Sequence, residues 1–275
     1  MRRAALTLIV AVLLAATGAA KAHAQRFVYV VTSNQQFGTV DLDTGSFSQI
    51  GPNTPEGQAN LVWGPDGSLF SLTYSGNLET INPVTGVTTV VGQTGLYFNA
   101  FDLAGVRGRL YATDFANNIY SVDPTTGAAT MIRATGIPPD PAIPFTVNSD
   151  GTINLCDESL YGIAGRLFAT FDAFTLDPNT LSKTLVVAPA IYEIDPQTGI
   201  ATPVAATALN VGATVEVTGR VYGFEWIATG FTDAGPQIAS ELVTLDLSNG
   251  IDQPRVQIDP AAGGITGAAP VRGGR

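Results

Sequence analysis

The sequence predicts an all-β fold, and three observations predict it. A five-residue turn, Asp123-Pro124-Thr125-Thr126-Gly127, recurs as Asp195-Pro196-Gln197-Thr198-Gly199. Looser copies stand at Asp41-Leu42-Asp43-Thr44-Gly45, Asn82-Pro83-Val84-Thr85-Gly86 and Asp246-Leu247-Ser248-Asn249-Gly250. The first three closing glycines, at 45, 86 and 127, are spaced by 41 residues, the length of a four-stranded propeller blade. No helical period of adequate length occurs after the N-terminal segment. Together these predict a five-bladed β-propeller in which residues 25–275 form one domain.

Each residue of the turn has a physical role. The Asp or Asn side chain accepts hydrogen bonds from backbone N–H groups two residues on, and proline at the second position presets φ for a type I turn. Glycine at the fifth takes the left-handed conformation that returns the chain to a strand without a Cβ clash. A four-residue loop built on a type I turn is a common hairpin connection, so each copy is expected to join the third and fourth strands of a blade.

Residues 1–24 read as a signal peptide. Arg2 and Arg3 make a basic start, Ala4 to Ala16 an apolar run, and Ala22-His23-Ala24 a peptidase site that cuts before Gln25. The run is shorter than the roughly 20 residues that span a bilayer, and no cysteine follows it to carry a lipid. The expectation is an exported protein, periplasmic or extracellular, with no membrane anchor.

The first unit supplies three strands, opening on Phe27-Val28-Tyr29-Val30-Val31-Thr32, and is one strand short. The second is complete: Asn60–Trp63, the turn Gly64-Pro65-Asp66-Gly67, Ser68–Tyr74, Leu78–Ile81 and Val87–Val91. The third repeats it from Asn99 to Ile132. The fourth is irregular. Pro138, Pro139, Pro141 and Pro144 forbid regular pairing and mark an insertion. Its second strand is expected to extend through Leu176, and Asp177-Pro178-Asn179-Thr180 with Leu181 reads as an inserted hairpin, not a sixth blade. The fifth runs from Val211 to Gln257, with a loop expected over 230–236. Residues 262–269 then resemble the first strands of the other units. They are expected to complete the N-terminal blade and close the ring, which removes a free sheet edge.

Loss of Arg2, Arg3 and Lys21 leaves ten basic residues against 23 acidic ones, a formal charge of −13. Such a chain repels nucleic acid and anionic membranes; protein or carbohydrate partners remain. The only histidine, His23, lies in the signal peptide, so the mature chain has no Ser-His-Asp or Cys-His mechanism and no histidine for zinc. The only cysteine, Cys156, has no disulfide partner within the chain and reads as a small buried apolar residue.

Tyr29-Val30-Val31-Thr32-Ser33-Asn34 resembles the Tyr-Val-Thr-Asn motif of secreted bacterial surface propellers, and the Asp-Pro-x-Thr-Gly turns resemble those of quinoprotein-like repeats. The tryptophan docking positions of quinoprotein blades are missing, since Trp63 and Trp226 are the only tryptophans. The resemblance therefore implies neither a quinone nor a nicotinamide cofactor. Streptogramin lyases and lactonases are enzymatic propellers, but the lyase type relies on a histidine that the chain lacks after residue 24.

Aligning innermost strands on Gly64, Gly105, Gly165, Gly219 and Gly267 as their closing glycines puts Leu61, Asp102, Gly162, Glu216 and Gly264 in one register around the axis. Two of the five are carboxylates, and Asp157 and Glu158 stand near one mouth. Asp102, Glu158 and Glu216 are thus candidate ligand-binding residues, and calcium, which favours several oxygen ligands, is a possible cofactor. The first reading is a non-catalytic propeller that binds a macromolecule or small ligand at one face of the central channel. The alternative is a carboxylate-dependent hydrolase or lyase acting on carbohydrate. Arg109, Arg166 and Arg220 each open a second strand and suit inter-strand pairing better than anion binding. Phe70, Tyr111, Phe168 and Tyr222 share one register and suit inter-blade packing.

Overall fold

The computed structural model describes residues 26–96, 100–138, 146–207, 211–232 and 235–272. The expected signal peptide, and all of the proline-rich insertion except Pro138, lie outside the described residues. In chain order, β1 (Phe27–Thr32), β2 (Phe37–Asp41) and β3 (Phe47–Gln49) belong to the first blade. The second holds β4 (Gln58–Trp63), β5 (Leu69–Thr73), β6 (Asn77–Ile81) and β7 (Thr88–Gln93). The third holds β8 (Ala100–Val106), β9 (Arg109–Asp114), β10 (Asn118–Val122) and β11 (Ala129–Ala134). The fourth holds β12 (Ile153–Ile163), β13 (Arg166–Leu176), β14 (Lys183–Ile194) and β15 (Ala201–Ala206). The fifth holds β16 (Val211–Val217), β17 (Arg220–Thr232), β18 (Gly235–Asp246) and β19 (Gly250–Gln257), and β20 (Ile265–Pro270) ends the chain.

These strands make five antiparallel four-stranded sheets, and β20 pairs with β1 to supply the inner strand that the first blade lacks. Val28 faces Pro270 and Val30 faces Ala268 across that joint. The inner strands touch in the cyclic order β20, β4, β8, β12, β16 and back to β20, so the ring is closed. The five-bladed propeller expected from the turn spacing is the observed fold.

Strand side chains alternate between faces, and each blade therefore buries one apolar row against the next. Five clusters result, one per interface. Val31, Phe37 and Leu61 join blades one and two; Phe70, Leu103 and Leu110 join two and three. Tyr111, Leu160 and Leu167 join three and four; Phe168, Ile191 and Val211 join four and five; Phe224, Val28 and Ile265 join five and one. Phe70, Tyr111, Phe168 and Tyr222 each fall in a different cluster, as their shared register predicts.

The repeated turns form as expected. Asp123 Oδ1 accepts from Thr125 N at 2.8 Å, and Gly127 N donates to Asp123 O at 2.8 Å with φ at 79°. The glycine has a second role that the turn chemistry does not reveal. A Cβ at Gly86 would overlap Ile50 O of the first blade, and one at Gly127 would sit 2.7 Å from Gly92 O of the second. The turn glycine is thus where one blade's hairpin meets the outer strand of its predecessor. Leu181 takes the same left-handed conformation, with φ at 57°, in a turn that joins the second and third strands of its blade.

Two expectations need correction. The Asp177 turn is not part of an inserted hairpin: it caps the fourth blade's own β13 and β14, which are simply long. The loop expected over 230–236 is instead the end of a β17–β18 hairpin, with Phe231 opposite Pro236 and Thr232 opposite Gly235. Pro236 is tolerated because β19 does not reach that part of β18; its first pair there is Gln257 with Glu241.

Candidate functional site

Strand pairing sets the height of each inner-strand residue along the axis. Gly105 is not a closing glycine. It lies inside β8, whose last pair is Val106 with Arg109, and the hairpin turns at Arg107-Gly108. The register inferred from Gly105 is therefore shifted by three residues. Gly264 precedes β20 and also falls outside the ring level. The residues at one level are Trp63, Gly105, Gly162, Glu216 and Pro270, opposite Leu69, Leu110, Leu167, Val221 and Val28. Gly162 and Glu216 stand as expected; Leu61, Asp102 and Gly264 do not. Asp102 pairs with Thr113, three residues deeper than Glu216's level.

At that deeper level the axis is closed by side chains. Asn60 Nδ2 donates to Leu160 O at 3.1 Å, and its Oδ1 accepts from Leu61 N at 2.7 Å. Asp102 Oδ2 accepts from Leu160 N at 2.5 Å, and its Oδ1 accepts from Leu103 N at 2.7 Å. One backbone unit of the fourth blade is thus capped by side chains of the second and third. Ser159 Oγ lies 3.2 Å from Thr214 Oγ1 beside them. Burial raises the Asp102 carboxyl well above the ordinary carboxylate range; the two backbone donors oppose that shift, and Glu158 reinforces it. Asp102 works as a structural acceptor here.

Glu158 lies on β12, one residue beyond the Ser159 level, opposite Phe171. Its side chain is buried, and Glu158 Oε1 has no hydrogen-bond partner among the described residues. Burial pushes its carboxyl up to about 8, with Thr113 opposing the shift and Asp114 adding to it. Asp114 is itself engaged by Asn118 and by the Tyr120 hydroxyl at 2.8 Å. The Asp157 side chain lies outside the described residues. Asp102 and Glu158 are electrostatic neighbours, but Glu216 is not with them: it accepts from Ala164 N at 3.2 Å in the fourth blade's hairpin turn. The three candidate carboxylates therefore do not form one site.

Glu216 instead lines a cavity of about 240 Å³ that opens at the first-to-second-strand hairpins, with Asn60, Leu160 and Thr214 in its lining. Because Asn60 and Asp102 close the axis, this cavity is a cup and not a pore. Its rim carries Trp63, whose Nε1 donates to Pro270 O at 2.8 Å, and Arg272, whose guanidinium sits 4.6 Å from the Trp63 ring centre. Gly105 and Gly162 bring the third and fourth inner strands together: a Cβ on Gly162 would overlap Gly105 O. Sequence reasoning missed Trp63 and Arg272; the hairpin glycine Gly108, aligned with Gly165 and Gly219, gives the correct level for the third, fourth and fifth blades, but the second blade's hairpin is one residue longer, so Gly67 points to Gly64 and not to Trp63.

Of the second-strand arginines, Arg166 is paired with Glu193 on β14, its Nε 2.6 Å from Glu193 Oε1. Arg109 and Arg220 have no ion pair among the described residues, so the pairing expected for all three holds for one. Cys156 is half-buried against the cluster between blades three and four. Among the described residues, no group of three or more Asp, Glu, His or Cys side chains is placed to hold a metal ion. The calcium expectation thus gains no ligand set from them.

Fold and cup define the class, a five-bladed β-propeller with a one-ended axial cavity. No protein-family model matches the chain, and no curated protein matches it significantly. Among solved structures it is similar to a structural genomics protein of unknown function from Bacteroides thetaiotaomicron VPI-5482. That likeness has 13% identity and a TM-score of 0.48, covering 81% of this chain and 53% of the other. This chain thus spans about half the length of that protein.

Proposed function

We propose that this is an exported, non-catalytic binding propeller that takes a small ligand, or the tip of a larger one, in the cup at the hairpin face. The observation that carries this reading is the axial closure by Asn60 and Asp102 beneath a rim of Trp63, Glu216 and Arg272. A concave pocket with an aromatic face and a few convergent polar groups is the usual form of a ligand site. The hydrolase reading needs two carboxylates facing one bond with divided acid and base roles. Among the described residues Glu216 is the one carboxylate in the cup lining, while Asp102 is buried below it with both oxygens occupied by backbone donors.

The test combines binding and turnover. A saccharide and peptide panel is titrated against the purified protein while tryptophan fluorescence is followed, with Trp63→Phe as the control for the cup. A ligand whose signal vanishes in Trp63→Phe, and which emerges chemically unchanged, is the expected result. Turnover of any panel member by the parent and its loss in Glu216→Gln would overturn the non-catalytic reading.

A further inference from the structure

We infer that the cup takes the guanidinium of an arginine side chain from another polypeptide, and that Arg272 stands in for that side chain; this deepens the binding reading above and rests on it. Trp63 on β4 and Glu216 on β16 lie at one level of the axis. In the ring of inner strands, β4 and β16 are the two neighbours of β20. Two residues past the end of β20, Arg272 places its guanidinium carbon 4.6 Å from the Trp63 ring centre. An aromatic face and a carboxylate attract a cation in different ways. Here they flank the strand that carries the resident cation.

The indole is held in place without the guanidinium. Its Nε1 donates to Pro270 O at 2.8 Å, and Tyr29 packs against it edge-on, with ring centres 6.3 Å apart. Arg272 is exposed and makes no ion pair among the described residues, so it rests on the ring and is not paired with Glu216. Glu216 Oε2 accepts from Ala164 N at 3.2 Å, which leaves Oε1 for a donor from the cup. Arg272 thus takes the aromatic half of the site and leaves the carboxylate half open. A guanidinium entering from outside can use both.

Size sets the scale of the guest. The cup holds about 240 Å³, less than the roughly 300–1,000 Å³ of sites that enclose a whole small molecule. One side chain fits, and the chain that carries it stays outside the mouth. Each inner strand is hydrogen-bonded to one neighbour only, so its free edge turns backbone carbonyls toward the axis as further acceptors. Guanidinium brings five donors in a plane, which suits stacking on indole and bidentate pairing with a carboxylate; an ammonium has neither the plane nor the fork. Charge on the rim does not choose, because Arg109 and Arg220 stand there with Asp66 and Asp123. In the lining itself Glu216 is the one carboxylate and Arg272 the one cation among the described residues, so displacing Arg272 leaves a negative cup. The wider chain, with ten basic residues against 23 acidic ones from residue 25 onward, draws cations toward it.

The experiment is calorimetric titration of the purified protein with three acetylated and amidated peptides, Gly-Arg-Gly, Gly-Lys-Gly and Gly-Gln-Gly. Gly-Arg-Gly is expected to bind, to weaken as salt is raised and to exceed Gly-Lys-Gly, while Gly-Gln-Gly gives no signal. Arg272→Ala is expected to bind Gly-Arg-Gly about 2- to 5-fold more tightly, because an exposed cation–π contact no longer competes. Glu216→Gln, which keeps an acceptor for Ala164 N, is expected to bind it about 10- to 100-fold more weakly, as for lost charge-assisted hydrogen bonds. Binding that is unchanged in Glu216→Gln, no tighter in Arg272→Ala or matched by Gly-Gln-Gly overturns the inference, as does failure of Gly-Arg-Gly to bind the parent and Arg272→Ala alike. The binding reading fails separately: it stands if any member of the saccharide and peptide panel gives a heat signal that Trp63→Phe abolishes, and falls if none does.

Discussion

Glu158→Gln is expected to stabilise the protein, and to do so only as pH rises. The Glu158 carboxyl is buried, one oxygen lacks a partner among the described residues, and its pKa is pushed from 4.5 up to about 8. The folded state therefore holds a proton that the unfolded chain releases above about 4.5. Between those two values folding takes up a proton, so stability contributed by this site falls as pH rises and levels off above the folded value. A displacement of three to four pH units at about 1.4 kcal/mol each sets an upper size of about 4–5 kcal/mol. Glutamine keeps the shape and cannot ionise. Urea melts at pH 5 and pH 8.5 should thus show a small difference between parent and variant at the lower pH. At the higher pH the variant should gain about 3–5 kcal/mol. Parallel pH profiles for the two proteins would refute the reasoning, as would a variant less stable at both values.

Three further outcomes follow from the fold. Gly67→Ala and Gly86→Ala both force a left-handed alanine, costing about 1–2 kcal/mol. The Gly67 methyl meets open space, whereas that of Gly86 overlaps Ile50 O and lies 3.0 Å from its carbon. The second variant should lose about 1–3 kcal/mol more, seen as a lower urea midpoint; equal losses would remove the inter-blade role of the turn glycine. Arg166→Gln should change stability by less than about 1 kcal/mol, since its pair with Glu193 is solvent-exposed, and a larger loss in thermal melting would count against that. A chain ending at Pro260 loses β20 and leaves β1 with an open edge, so it should elute as aggregate in size-exclusion chromatography; a monomeric, cooperatively melting product would contradict closure by the C-terminal strand.

The fold was legible in the sequence because its defining devices are local. Asp-Pro-x-Thr-Gly encodes a turn within five residues, and the spacing of its glycines encodes the blade. The C-terminal closure was legible because the first unit is one strand short. The site was less so, since height along the axis depends on which glycine ends a strand. Gly105 and Gly108 are both plausible by composition, and only pairing of Val106 with Arg109 decides between them. A slip of three residues moved Asp102 from the axial closure to the cup, and one of two residues in the second blade put Leu61 in the place of Trp63. The fates of Arg109 and Arg220 were illegible for a different reason: a shared position predicts a shared role, yet only the fourth blade places a glutamate, Glu193, opposite its arginine's neighbour Phe168.

The ring size ties these observations together. With five inner strands around the axis, backbones come close enough that Gly162 and Gly267 must lack a Cβ; one at Gly162 would overlap Gly105 O, and one at Gly267 the Asn60 backbone. The same crowding lets Asn60 of the second blade reach Leu160 of the fourth, past the third. Polar groups that turn inward at this depth are excluded from water and must be satisfied by one another, which is what Asn60 and Asp102 do for Leu160. Carboxylates on the inner strands are then divided by depth: Asp102 in the closure is committed to backbone, and Glu216 above it still faces the cup. The cavity that remains lies above Asn60 at the hairpin end, where Glu216, Trp63 and Arg272 line it.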